Sequence, residues 1–133
     1  LSEVEIIATQ QPCTRATERS FGYDLRTNRE VRIVPNETAI IGTGVFVKMS
    51  SLVMGMVCSR SGLSTKGIVV ANAPGIIDSD YEDEIKVILH NHGKESYVFQ
   101  AGDKIAQLVF TYGALSSDVV SEKRHGGLGS TGT

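Results

Sequence analysis

Glu84-Ile85-Lys86-Val87-Ile88-Leu89-His90 decides the fold class. Ile85, Val87 and Leu89 fall on one face of an extended chain and Glu84, Lys86 and His90 on the other, with Ile88 the exception. A period of two marks a strand with one buried face, because successive side chains point to opposite sides. Asn91-His92-Gly93 then ends the run with turn-forming residues. Outward from here the pattern repeats. Short apolar runs lie at 4–7, 31–34, 40–49, 52–58, 68–70, 96–99 and 104–112, with Pro35-Asn36 and Ala101-Gly102-Asp103 as turn signals. No long segment carries i, i+3, i+4 spacing, and a short helix is expected only around 60–65. Such spacing predicts an all-β chain, an antiparallel sandwich or barrel rather than a βαβ fold.

At 133 residues, 41% of them hydrophobic and 21% charged, the chain fits one globular domain with a real core. The net charge of −2 gives no reason to expect a nucleic-acid partner, which would require clustered Lys and Arg. A polyanionic ligand must therefore be met by a local group of cations. No stretch approaches the roughly 20 apolar residues of a membrane span, so no membrane partner is expected. Residues 1–13 carry Glu3 and Glu5 ahead of any basic residue, unlike a signal peptide. Cys13 and Cys58 are too few for a disulfide framework or a zinc cluster. Among His90, His92 and His125 the one metal-like spacing is His90-x-His92, which a strand end often produces by chance. A soluble protein of a reducing compartment (cytoplasmic, nuclear or viral intracellular), without a structural metal, is the expectation.

Several segments carry chemistry. In Ser59-Arg60-Ser61-Gly62-Leu63, Arg60 offers a planar fork of donors suited to phosphate oxygens. The Ser61 hydroxyl and the backbone N–H groups beside Gly62 add donors that can approach closely. On residue type alone, a surface turn with a solvated Arg is the better account. In residues 72–84, Pro74-Gly75 and Asp78-Ser79-Asp80 bracket Ile76-Ile77, the pattern of a hairpin whose arms form a pocket. Asn72 presents both a donor and an acceptor. Tyr81 can lie flat under a sugar, while Asp78 and Asp80 are also residues that turns favour. Gln107 stands in an otherwise apolar strand, so its amide must bond to a neighbour or to a ligand. The tail Gly126-Gly127-Leu128-Gly129-Ser130-Thr131-Gly132 cannot bury enough apolar surface to fold alone. It reads as a frayed end or as a flap over a ligand, and it lacks the Gly-Lys-Ser/Thr of a Walker loop.

Five segments in order resemble the five motifs of the trimeric dUTPases, across nearly the whole chain. They are Gly22-Tyr23-Asp24-Leu25, the run 59–63, the run 72–84, Gly102-Asp103-Lys104-Ile105-Ala106-Gln107-Leu108, and the glycine-rich tail. The resemblance implies a jelly-roll-like antiparallel β-barrel or sandwich assembled as a homotrimer. It implies a β domain over 1–120 and an arm over 121–133 that crosses to a neighbouring subunit. The implied activity is hydrolysis of dUTP to dUMP and pyrophosphate, limiting uracil incorporation into DNA and supplying dUMP for dTTP synthesis.

By the same resemblance Asp78 is the general base, and Arg60, Ser61 and Gly62 hold the triphosphate. Asn72 and Gly75 bind uracil, Ile77 joins the substrate-binding residues, and Tyr81 excludes ribonucleotides. Gln107 touches the phosphates or the ordered water near them, and Asp24 supports the site through hydrogen bonds. In the arm, Leu128 stands where the family has the aromatic that covers uracil, and Gly129 and Ser130 supply donors. Arg124, or failing it Lys123, meets the γ-phosphate. Mg²⁺ is expected on the substrate's phosphates, without protein ligands of its own. The chain departs from the family at Ser59 (usually Pro), Asp83 (usually Gly), Lys104 (usually Arg) and Leu128. Asp tolerates left-handed backbone better than most residues, so the turn at Asp83 is expected to survive. A dCTP deaminase of the same fold would attack C4 of the base instead, and a nucleotide-responsive binding protein would do no chemistry. The Asp78-x-Asp80-Tyr81 string and the glycine-rich tail favour the dUTPase, and Asp78 with Arg60 argues against binding as the sole role.

Overall fold

The computed structural model describes residues 3–118. Their elements run β1 (Val4–Ala8), β2 (Tyr23–Arg26), β3 (Val31–Ile33), β4 (Thr38–Met49), β5 (Val53–Cys58), α1 (Ser61–Ser64), β6 (Ile68–Val70), β7 (Gly75–Ile77), β8 (Ile85–Asn91), β9 (Tyr97–Phe99) and β10 (Lys104–Tyr112). β8 does what its alternation requires: Ile85, Val87 and Leu89 are at most 1% exposed, while Lys86 faces solvent. Ile88 breaks the alternation because it pairs across the ladder with Ile40 of β4, an apolar couple on the outer face. Asn91 continues the inward face as a buried polar residue with its amide satisfied. Its Nδ2 donates to the carbonyls of Ile33 and Glu95, both at 2.9 Å, and its Oδ1 accepts from Gly93 N–H at 2.8 Å.

All pairings are antiparallel, in the order β1-β4-β8-β6 for one sheet and β2-β10-β5-β7 for the other, with β3-β9 as a separate ribbon. Ile41, Val45, Val47, Val87 and Leu89 from the first sheet meet Leu25, Val57, Ile77 and Leu108 from the second in one core, and Ile33 and Phe99 join from the ribbon. The all-β antiparallel class read from the sequence is the observed one. No helix among the described residues is long and apolar enough to cross a membrane.

Two expectations need correction. Residues 72–84 do not form a self-paired hairpin. β6 belongs to the first sheet, β7 pairs with β5 at the edge of the second, and the chain returns to the first sheet at β8. Ile76-Ile77 with flanking turn residues satisfies an edge strand as well as a hairpin arm, and only the partner distinguishes them. The second correction concerns β2. Tyr23-Asp24-Leu25-Arg26 is a strand although only two of its four residues are apolar, because Leu25 is fully buried and β10 supplies the ladder. The expected short helix is present as the single turn α1, where Leu63 is the buried residue. Asp83 needs no left-handed backbone, since Asn36 is the non-glycine residue with positive φ among those described.

Candidate active site

β10 lies between β2 and β5, with Gln107 opposite Asp24 on one side and Cys58 on the other. This register carries Ser59 and Arg60, which follow β5, toward Asp24 on β2. Arg60 Nη1 donates to Asp24 Oδ1 at 2.7 Å, and Lys104 Nζ lies 3.3 Å from Asp24 Oδ2. The Asp24 side chain is 9% exposed, whereas Arg60 and Lys104 are 31% and 37% exposed. One buried carboxylate thus clasps two partly exposed cations, each oxygen answering one partner. Asp24 engages one of the donors on Arg60's five-donor fork, and the three groups leave one net positive charge. A polyphosphate is the kind of ligand such a surplus suits.

Gln107 bonds to a neighbour, one of the two fates its sequence position allowed. Its Nε2 donates to the Ser59 carbonyl at 3.0 Å, bracing the residue that precedes Arg60. Gly22 leaves this amide its place: a Cβ there would lie 2.2 Å from Gln107 Oε1, and the amide would have to move. Ser59 also acts through its side chain, whose hydroxyl accepts the Val70 N–H at 2.9 Å and ties this loop to β6. Ser61 and Gly62 are exposed on α1, and a Cβ at Gly62 would meet open space. Arg26 was not picked out from sequence. It stands opposite Lys104, donates from Nη1 to the Gly102 carbonyl at 2.9 Å, and buries Nε without a partner. Its place in the cation group follows from β2 being a strand. Beneath the group, burial pushes the Cys13 thiol up to about 11, with Asp24 adding to the effect and Arg26 opposing it.

The residues of 72–84 do not gather at one point. β7 pairs on one side with β5, leaving the other side as the sheet edge, where backbone N–H and C=O groups face away from the ladder. Ile77 is 9% exposed and packs in the core, so its side chain is not offered to a ligand. Gly75 is buried under Asn72, whose Nδ2 would lie 3.1 Å from a Cβ at that position. Asp78 is exposed and lines a hollow of about 410 Å³ with Leu52, Val53, Met54, Asp80 and Leu115. Tyr81 is half-buried and faces a second hollow of about 400 Å³, beside Phe46, Lys48 and Met49.

Asp78 and the clasp lie toward opposite ends of β5, whereas Gly75, paired with Val57, lies near the Arg60 end. Gly55 pairs with Ile77, which places Asp78 level with Met54, whereas Arg60 follows Cys58. The four steps from Met54 to Cys58 span roughly 13 Å at about 3.3 Å per residue, and Arg60 lies further still. Within one chain Asp78 is therefore not beside the Arg60–Asp24–Lys104 clasp. The arm residues Lys123, Arg124, Leu128, Gly129 and Ser130 lie outside the described residues.

Fold and site together define an antiparallel β-sandwich with a carboxylate-held cation pair suited to polyphosphate, and a separate open-edged strand bearing polar groups. The dUTPase family model matches residues 9–132. A deoxyuridine 5'-triphosphate nucleotidohydrolase of Anaeromyxobacter sp. (strain Fw109-5) is 42% identical over 123 residues, 87% of this chain and 84% of that protein. One from Rickettsia bellii (strain OSU 85-389) is 43% identical over 126 residues, 88% of this chain and 84% of that protein. Among solved structures, the native EIAV dUTPase is similar with a TM-score of 0.78 and 27% identity, over 92% of this chain and 98% of that one. The chain belongs to the dUTPase family.

Proposed function

We propose that this chain hydrolyses dUTP to dUMP and pyrophosphate, in a site shared between the subunits of a homotrimer. Family membership supports the reaction. The observation that carries the site is the clasp of Arg60 and Lys104 on Asp24. Arg60 and Lys104 receive the phosphates, with Ser61, Gly62 and Gln107 beside them. The outward edge of β7 reads the uracil through backbone groups at Gly75 and Ile77, aided by the Asn72 amide. Tyr81 packs against the deoxyribose and excludes a 2′-hydroxyl. Asp78 takes a proton from a water as its oxygen forms a bond to the α-phosphorus. The bond from that phosphorus to the α–β bridging oxygen breaks, and pyrophosphate leaves.

The separation of Asp78 from the clasp along β5 supports sharing, because a second copy can bring its carboxylate to phosphates held by the first. Residues 121–133 then form the arm that closes the site, with Arg124 or Lys123 on the γ-phosphate and Leu128, Gly129 and Ser130 over the nucleotide. Both oxygens of Asp24 are occupied by cations, so this carboxylate is not offered to a metal. Mg²⁺ carried on the substrate's own phosphates would screen their charge.

The test is turnover of dUTP, dTTP, UTP and dCTP with separate readouts for pyrophosphate and ammonia. Pyrophosphate from dUTP alone is expected. Ammonia from dCTP would make the chain a deaminase, and binding without either product would make it a nucleotide-responsive binder. Light scattering showing a stable monomer with full dUTP turnover would overturn the shared site.

A further inference from the structure

Tyr81 makes hydrogen bonds within its own segment. Its N–H donates to the Asp78 carbonyl at 3.0 Å, and its hydroxyl donates to the backbone carbonyl of Glu84 at 2.8 Å. Neither of these two bonds reaches another element, while the Tyr81 ring packs against the core. The Glu84 side chain does reach one: its Oε2 accepts the N–H of Gly44 at 2.7 Å. Gly44 sits in the bulge of β4, where the register against β8 shifts between Gly42 and Val45.

That bulge is itself held from several sides. Thr9 donates to the Gly44 carbonyl through both its N–H (2.9 Å) and its hydroxyl (2.6 Å). The buried Thr43 hydroxyl donates to the Ile85 carbonyl at 2.6 Å and accepts Val45 N–H at 3.2 Å. Gly44 has φ of +69°, and a Cβ on Gly42 would lie 2.9 Å from Glu84 Oε2. The carboxylate therefore occupies the space that a side chain at Gly42 would need. A carboxylate accepting a backbone N–H is charge-assisted and stronger than a neutral pair.

We propose that Glu84 is a positioning residue for sugar discrimination: by anchoring to the β4 bulge it fixes the carbonyl that receives the Tyr81 hydroxyl, and so the face of the Tyr81 ring. This rests on the dUTPase reading above. Free of the anchor, the Glu84 carbonyl shifts, the ring follows, and space opens for a 2′-hydroxyl. Sequence reading placed Glu84 on the polar face of a strand and at the end of a motif, but gave it no partner, since that partner lies 40 residues away.

The experiment measures kcat and KM for dUTP and UTP in the wild-type chain, Glu84→Ala, Glu84→Gln and Tyr81→Phe, with thermal melts of each. Glu84→Ala should lower the dUTP-to-UTP ratio of kcat/KM on the order of tenfold, as expected for loss of a charge-assisted bond. Glu84→Gln keeps an acceptor oxygen and should hold the ratio within about twofold of wild type, the size of a weak neutral bond. Tyr81→Phe should move the ratio in the same direction as Glu84→Ala. A folded Glu84→Ala with an unchanged ratio overturns the proposal, whatever its melting temperature. If Glu84→Ala does not fold, Tyr81→Phe decides, and an unchanged ratio there overturns it equally. A wild-type chain that releases no pyrophosphate from dUTP would instead overturn the underlying function.

Discussion

Gly22→Ala is a small change with a calculable consequence. The new methyl would lie 2.2 Å from Gln107 Oε1 and 3.2 Å from both Cβ and Cδ of the same side chain. Non-bonded heavy atoms rest at roughly 3.5 Å, so the amide must move by more than about 1 Å. Moving it breaks the bond from Nε2 to the Ser59 carbonyl, which costs about 1 kcal/mol. Gly22 has no positive φ, so Ala restricts the unfolded chain and returns roughly 0.4–1 kcal/mol. Net stability should therefore change by less than about 1 kcal/mol. Activity should change more, because Ser59 loses its brace next to Arg60, and kcat/KM for dUTP should fall on the order of tenfold. Urea melts and pyrophosphate release measure the two quantities. Repeating the substitution in a Gln107→Ala background isolates the cause, since the 2.2 Å clash with Oε1 is gone, only the 3.2 Å approach to Cβ remains, and Gly22→Ala should then have a much smaller effect. An equal loss of activity in both backgrounds would refute the reasoning.

Other outcomes follow from the same geometry. Asp78→Asn should bind dUTP nearly as well as wild type while turnover drops by about 10²-fold or more, measured by titration and single-turnover kinetics; retained turnover would move the base elsewhere, with Asp80 next. The buried Cys13 thiol is raised from 9.0 to about 11, so only the unfolded chain ionises between those values. Its contribution is intact below pH 9 and is lost as pH rises through 11, a decline of about 3 kcal/mol. Cys13→Ala should flatten that part of the stability curve, and an unchanged slope would assign the alkaline loss to other groups. Removing residues 126–133 should leave the melting temperature in place and sharply reduce turnover; full activity without them would show that the arm plays no part in catalysis.

The legible parts of the fold were those with one buried face and a long run. β8 could be placed from its alternation, and β10 from its length of apolar chain after a turn signal. β2 could not, because Asp24 faces the cation group and is buried for a reason that lies on other strands. The partner of β7 was equally hidden, since Gly75-Ile76-Ile77 has the same composition whether it turns back on itself or joins β5. Site residues became legible through the ordered motifs, but their bonds did not. Asp24 and Arg60 are 36 residues apart, and no local pattern announces that one carboxylate will hold both Arg60 and Lys104. Gln107 was expected to need a partner, and only the register of β10 between β2 and β5 identifies it as the Ser59 carbonyl.

The Ser59 hydroxyl has a bearing on consensus engineering. Replacing an atypical residue by the family's usual one is a common route to a more heat-resistant protein, and Ser59→Pro would be an early choice here. Proline would stiffen the unfolded chain by about 0.4–1 kcal/mol. It would also delete the only side-chain oxygen at this position, the one that accepts the N–H of Val70, a residue 4% exposed. An orphaned buried donor costs about 1–3 kcal/mol, so the swap should lower rather than raise the melting temperature. Serine at this position makes a bond that proline cannot, and that bond outweighs the stiffness proline would bring.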